Sequence, residues 1–292
     1  MTSKCAAACV FLAAVSLQGA AMAADYRVPL TDKPPKLDGR IEPAEWARAV
    51  AFDGLAFNNT LDRRRGRAFV AATKTNLYFA FQTQLPDDGQ LVADVDKDTV
   101  KLVFDDSIEV WIDPTPGSDH GQMFQMLANS AGRVAYKHHG RGNVAEQPAW
   151  AGNWKVTNGF HAGHWHCEIE VPLADIAPDR AADRGQWGIN LCRNWKNPWA
   201  FSSIGGGGYA PSDRFTFASD AVTIAHESRG DAFVGEIHHA LVLSNPTAAP
   251  VTVKATLSLK RDVMLELAAA EAITLAPGES KELAIKAKDD ST

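Results

Sequence analysis

The chain has 292 residues, of which 46% are hydrophobic and 22% charged, with 35 acidic against 29 basic side chains and a formal net charge of −6. That apolar content supports a packed core and excludes a wholly disordered chain, while the acidic balance speaks against a nucleic-acid partner. The length exceeds that of a usual single domain, so two are expected.

Lys4 precedes an apolar run from Cys5 to Leu17 and a small-residue site, Ala21-Met22-Ala23, the pattern of a cleavable secretory signal over residues 1–23. Its removal takes away one Lys and no acid, moving the net charge from −6 to about −7. The run is shorter than the roughly 20 residues a spanning helix needs, and no later segment is longer. The expectation is a protein without a membrane span that acts outside the cytoplasm, in the periplasm or beyond. Cys5 and Cys9 leave with the signal, and the remaining pair, Cys167 and Cys192, enters a compartment that permits a disulfide. Cys167 alternates with Trp165, Ile169 and Val171, whereas Cys192 shares the phase of Asn190 and Asn194. Two free thiols on opposite faces of neighbouring strands are expected.

A short helix is predicted at 42–47, where Pro43 suits the first turn and Trp46 faces inward. The basic run at 63–67 reads as a solvated turn. Alternating segments at 67–72, 76–83, 107–112, 123–129, 165–171 and 187–193, bounded by Gly, Pro, Asn and Asp, read as strands, with one helical turn at 173–176. Together they predict an all-β protein whose main body is an antiparallel β-sandwich, jelly-roll or immunoglobulin-like, of two packed sheets. After Asp220 aromatic residues nearly vanish. Strands are predicted at 233–244, 251–259, 263–267 and 282–285, with turns at Asn245-Pro246-Thr247 and at 276–279. These predict a second small β-sandwich, immunoglobulin-like, with about four strands where such folds have roughly seven. The expected organisation is 1–23 signal, 24–222 main sandwich and 223–292 second domain, the last incomplete or part of a longer chain.

The most informative stretch is Asp106-Ser107-Ile108-Glu109-Val110-Trp111-Ile112-Asp113-Pro114. Strand alternation sends Ile108, Val110 and Ile112 to the core and Ser107, Glu109, Trp111 and Asp113 to the opposite face. A carboxylate beside an indole suits sugar recognition, because acceptors bind hydroxyl pairs while an aromatic plane covers the C–H face of a pyranose.

With three further blocks, this stretch resembles the family 9 carbohydrate-binding modules and related DOMON-like sandwiches. The others are Lys36-Leu37-Asp38-Gly39-Arg40-Ile41-Glu42-Pro43-Ala44-Glu45-Trp46, then Thr75-Asn76-Leu77-Tyr78-Phe79-Ala80-Phe81, and a pair of segments at 165–172 and 187–193. The resemblance spans about residues 24–220 and implies a secreted, non-catalytic module for poly- or oligosaccharides, accessory to polysaccharide breakdown or glycan capture. It implies a sugar contact for Glu109. Family members hold a terminal sugar between two Trp rings, but here the first position reads Val103-Phe104 and the late loop, Gly205-Gly206-Gly207-Gly208-Tyr209, offers Tyr209. Gln125 stands where the family has a basic residue. The expected sugar-binding set is Glu109, Trp111, Gln125, Asn129 and Tyr209 on one concave face, with weak affinity because the paired Trp clamp is missing.

Other chemistries have weaker signals. His161, His164 and His166, with His138-His139, raise a metal site, but no third strand ligand is evident and solvent-facing His is the simpler reading. Asp94, Asp96, Asp98, Asp105 and Asp106 offer the hard oxygens of a structural calcium site without an EF-hand pattern. A hydrolase would need Glu109 and Glu168 as paired carboxylates. The alternatives to sugar binding are a haem-binding DOMON-like domain using Met123 or Met126, and an adhesion or spacer region of a larger cell-surface protein.

Overall fold

The computed structural model describes residues 25–57, 60–204, 209–211, 213–228, 236–254 and 272–288. The signal sequence, the four-glycine run and the strand expected at 263–267 lie outside the described residues. In chain order the strands are β1 (Asp25–Pro29), β2 (Val50–Asp53), β3 (Ala56–Phe57), β4 (Thr60–Leu61), β5 (Gly66–Ala72) and β6 (Asn76–Gln84). After a 3-10 turn at Val100–Phe104 come β7 (Ser107–Asp113), β8 (Gly121–Asn129), β9 (Val134–Arg141), β10 (Lys155–His161) and β11 (His164–Pro172). One helical turn, Leu173–Ile176, precedes β12 (Trp187–Lys196), β13 (Trp199–Ser203), β14 (Asp213–Ala218), β15 (Thr223–Ser228), β16 (Glu236–Ser244), β17 (Val251–Lys254), β18 (Ala272–Leu275) and β19 (Ser280–Lys288).

The chain is a β-sandwich. One nine-stranded sheet runs β4-β3-β13-β12-β7-β8-β9, with β14 joining β12 and β1. An eight-stranded sheet runs β10-β11-β6-β5-β2-β15-β16-β19. Pairing is antiparallel apart from β1 with β14 and β15 with β2. Alternation decides what lies between the sheets: Ile108, Val110, Ile112, Met126 and Leu191 from the first meet Val70, Phe79, Phe81, Cys167 and Ile169 from the second. Each is fully buried, and such a side chain contributes about 1.5–3 kcal/mol by leaving water.

The expected boundary at residue 222 falls at the start of β15, whose Ala225 and His226 pair with Ala51 and Phe52 of β2. β16 and β19 extend the same sheet, and Leu241, Leu243, Ile273 and Leu275 join its core.

The outer face of the eight-stranded sheet is covered by the opening segment. Ile41, Trp46 and Ala49 pack on Ala51, Phe69, Ala71, Tyr78 and Ala80. Glu168, buried on β11, anchors this cover by accepting from Asp38 N at 3.1 Å, Gly39 N at 2.8 Å and Trp46 Nε1 at 3.3 Å. The Leu-Asp-Gly and Trp positions of the first block are thereby tied to one carboxylate. Gly39 has φ +83°, and a Cβ there would lie 2.7 Å from Asn158 O, so only glycine fits. The segment expected as a helix at 42–47 is a set of turns, with Trp46 N and Glu45 N donating to Glu42 O. Trp46 is buried as expected, held by its hydrogen bond to Glu168 rather than by helical periodicity.

Cys167 and Cys192 are free and buried. They lie not on neighbouring strands but in different sheets, Cys167 between the layers and Cys192 on the outward face of the nine-stranded sheet. No described helix is long and apolar enough to cross a membrane.

Candidate functional site

On the outward face of the nine-stranded sheet, register aligns three rows. Ser107 lies opposite Asn129 and Asn194, Glu109 opposite Leu127 and Cys192, and Trp111 opposite Gln125 and Asn190. One end of this face is closed, because the 3-10 turn sets Leu102 over Leu127 and Ala135. Asp105 accepts from Asp94 N at 3.0 Å and Asn129 Nδ2 at 3.0 Å, and Asp106 from Val92 N and Lys196 N at 2.8 Å each. These buried carboxylates satisfy backbone donors of the covering loop. Calcium would require oxygens facing an ion, and the carboxylates of Asp105 and Asp106 face N–H groups instead. Among the described residues no group of three or more His, Cys, Asp or Glu could hold a metal ion.

Asn129 belongs to this closed end. Its Nδ2 reaches Asp105, its Oδ1 accepts from Arg133 N at 2.9 Å, and it is fully buried. It shares a sheet face with Trp111, but β8 carries it along the strand into the covered end, away from the other expected ligand residues.

The other four come together at the open end. Glu109 is 0% exposed. Its Oε2 accepts from Trp111 Nε1 and Gln125 Nε2, both at 2.8 Å, and its Oε1 from Asn194 Nδ2 at 2.8 Å. Burial raises its carboxyl above the ordinary range, and the three donors pull it partly back. Rather than lying open to a ligand, Glu109 is a hub beneath the surface that orients an indole and two amides. Gln125 Oε1 meets His139 Nε2 at 3.0 Å, so this nitrogen carries the proton. Burial, then Lys137, lowers the pKa of His139, which keeps the imidazole neutral. Its ring stacks on Trp111 at 4.9 Å and 22°. On the other side Tyr209 stands 6.2 Å from Trp111, tilted by 41°, its carbonyl accepting from Asn190 Nδ2 at 3.2 Å. Burial, then the nearby Glu109, pushes the Tyr209 phenol pKa up, so its hydroxyl stays protonated and both donates and accepts.

The open end thus presents half-exposed Trp111, Tyr209 and His139 rings around the Gln125 amide, with the carboxylate sealed below. Sequence reasoning missed two members. Asn194 carried a signal, since it shares a phase with Asn190, but His139 was grouped with His138 as a metal candidate. Adjacent strand residues face opposite ways: His138 is 1% exposed, with Nε2 against Gln122 Oε1 and Nδ1 accepting from Gln147 N.

The residues of the competing readings lie in different parts of the sandwich. Glu109 and Glu168 project from the outer faces of opposite sheets, with the whole core between them. Met126 is in that core, and Met123, three residues away on β8, is on the outward face. His161 and His164 do approach His166, at ring distances of 5.3 and 6.5 Å. His166 Nδ1, however, accepts from Ile41 N at 3.0 Å. Burial, then the two neighbouring imidazoles, lowers its pKa to about 4.

No family model matches the sequence, and no curated protein matches it. Among solved structures, a candidate carbohydrate-binding protein from Bacteroides uniformis aligns with a TM-score of 0.52 at 14% identity, covering 67% of this chain and 99% of that one. The two proteins share a fold. Family 9 carbohydrate-binding modules from Caldicellulosiruptor kristjanssonii also align. The one in complex with glucose does so with a TM-score of 0.46 at 11% identity, over 67% of this chain and 97% of its own. The one in complex with cellotriose has the same score and identity, over 68% of this chain and 95% of its own.

Proposed function

We propose that this chain is a non-catalytic carbohydrate-binding module, exported by the signal at residues 1–23, that takes a neutral sugar at the open end of the nine-stranded sheet. The observation that carries this reading is the partly exposed Trp111 ring beside the Gln125 amide, both held by one buried carboxylate, with the Tyr209 ring next to them. Ring planes cover the C–H face of a pyranose, and amide and phenol groups meet its hydroxyls. Glu109 acts as a positioning residue. The Bacteroides uniformis protein of the same fold, itself a candidate carbohydrate binder, points the same way.

The carboxylate pair that hydrolysis would need, Glu109 and Glu168, is split between the outer faces of opposite sheets. The expected affinity is weak, roughly −4 to −6 kcal/mol, in the high micromolar to millimolar range. Affinity electrophoresis through gels containing neutral polysaccharides tests it: retarded migration that Trp111→Ala abolishes supports the reading. Unretarded migration of folded protein in xylan, β-glucan, mannan and soluble cellulose derivatives alike overturns it.

A further inference from the structure

The rings at Trp111 are the end of a longer series. Phe57 on β3 meets Trp199 at 6.0 Å, Trp199 meets Phe201 at 4.3 Å, Phe201 meets Tyr209 at 5.7 Å, Tyr209 meets Trp111 at 6.2 Å, and Trp111 meets His139 at 4.9 Å. None of the six is buried, and Trp199 is 59% exposed. The series crosses from β3 through β13, β12, β7 and β8 to β9, most of the width of the sheet. Some other aromatic contacts, such as those of Tyr26 with Phe52 and Phe215, are sealed in the core. A contiguous set of rings that reaches the surface, with Trp199 standing out of it, fits a binding face.

We infer that these six rings form one track that binds several consecutive units of a single neutral polysaccharide chain along its length, rather than one terminal sugar. The inference rests on the sugar-binding reading of the Trp111 face and extends it to a class of ligand. Successive rings touch at 4.3 to 6.2 Å, so the six form one unbroken apolar ridge longer than a single pyranose, along which several units of a chain can lie. The ligand is neutral because the charged groups beside the track are already engaged: Glu109 by three donors, Lys137 with Glu146 at 3.7 Å and Lys196 with Asp94 at 2.6 Å. Neighbouring planes turn by 87°, 81°, 68° and 41° from Phe57 to Trp111. A flat crystalline surface cannot lie on all of them at once. A free chain whose units rotate about their linkages can.

The test is calorimetric titration of the intact protein with glucose, cellobiose, cellotetraose and cellohexaose, repeated with the xylo- and manno-oligosaccharide series and with borohydride-reduced hexaoses. Affinity should rise at least tenfold from two to six units in the series that binds, and reduction of the chain end should change it less than twofold. Trp199→Ala, at an exposed position that leaves the fold intact, should collapse the ratio between six and two units to below threefold. If a monosaccharide binds as tightly as the hexaose, or end reduction abolishes binding, the site is a terminal one: the track fails while the sugar-binding reading stands. If no series binds, that reading fails and takes the track with it. Self-association in sedimentation that Trp199→Ala removes would make the rings an interface between copies and overturn the track.

Discussion

Truncating Glu109 should destabilise the protein rather than merely weaken a ligand contact. Glu109→Ala removes the acceptor of three donors at once. Trp111 is half-exposed and can turn its Nε1–H to water, and Asn194 Nδ2 keeps Ser107 Oγ at 3.1 Å. Gln125 Nε2 loses the one acceptor described for it, in an environment only 8% exposed. At about 1–3 kcal/mol for a stranded buried donor, with water entering the space setting where in that range it falls, the expected loss is about 1–3 kcal/mol. Glu109→Gln should cost less than about 1 kcal/mol. Its new carbonyl serves Trp111 and Gln125, and its new amide meets Asn194, whose buried Oδ1 has no partner and can rotate to accept.

The pH dependence separates the charge from the shape. Burial places the folded-state pKa of Glu109 above its unfolded value. The stability it contributes is therefore full below the unfolded pKa, near 4.3, and is lost as pH rises through the folded value. Relative to Glu109→Gln, which does not titrate, the wild type should gain stability as pH falls from 7 towards 5. Urea unfolding followed by tryptophan fluorescence at several pH values measures both effects. A loss below about 0.5 kcal/mol for Glu109→Ala, far under the cost of one stranded donor, would show that the carboxylate is not the hub described.

Gly39→Ala should cost about 2–4 kcal/mol in the same assay, since it combines a left-handed backbone with a Cβ in contact with Asn158 O; a loss under about 1 kcal/mol would mean the opening segment does not need this turn. A chain ending at Val222 loses the strand paired with β2 and exposes core beneath Leu241 and Leu243, so its circular dichroism melt should broaden or disappear, whereas an unchanged melt would make 223–292 an independent domain. Burial pushes the thiol pKa of Cys167, and likewise of Cys192, upward; the native mature protein should therefore resist thiol reagents and the unfolded, unreduced protein should release two thiols, with a count of none revealing a disulfide.

The strands were legible because their side chains alternate cleanly. Ile108, Val110 and Ile112 entered the core and Glu109 and Trp111 faced away, as period two requires. Alternation assigns a face but not a distance along it. Asn129 was therefore grouped with Gln125, although four residues of strand take it under Leu102 and into the bonds of Asp105. It also cannot show whether a polar residue on an outward face is covered, and so Glu109 was read as a surface acceptor when two amides and an indole enclose it. The turns at 42–47 looked helical because Pro43 and Trp46 fit a first turn, while the force that places Trp46 comes from Glu168, 122 residues away. The pairing of β15 with β2 is equally remote, and the drop in aromatic content after Asp220 carried no information about it.

The central claim is that the ring face around Trp111 binds neutral sugar. The most direct measurement is titration of wild type and Trp111→Ala with the tightest oligosaccharide found in the gel screen, with folding of both checked by circular dichroism. The account predicts a saturable millimolar or stronger isotherm for the wild type and at least a tenfold weaker one for Trp111→Ala, about 1.4 kcal/mol or more. Equal affinity of the two folded proteins would place the sugar elsewhere on the molecule and contradict it.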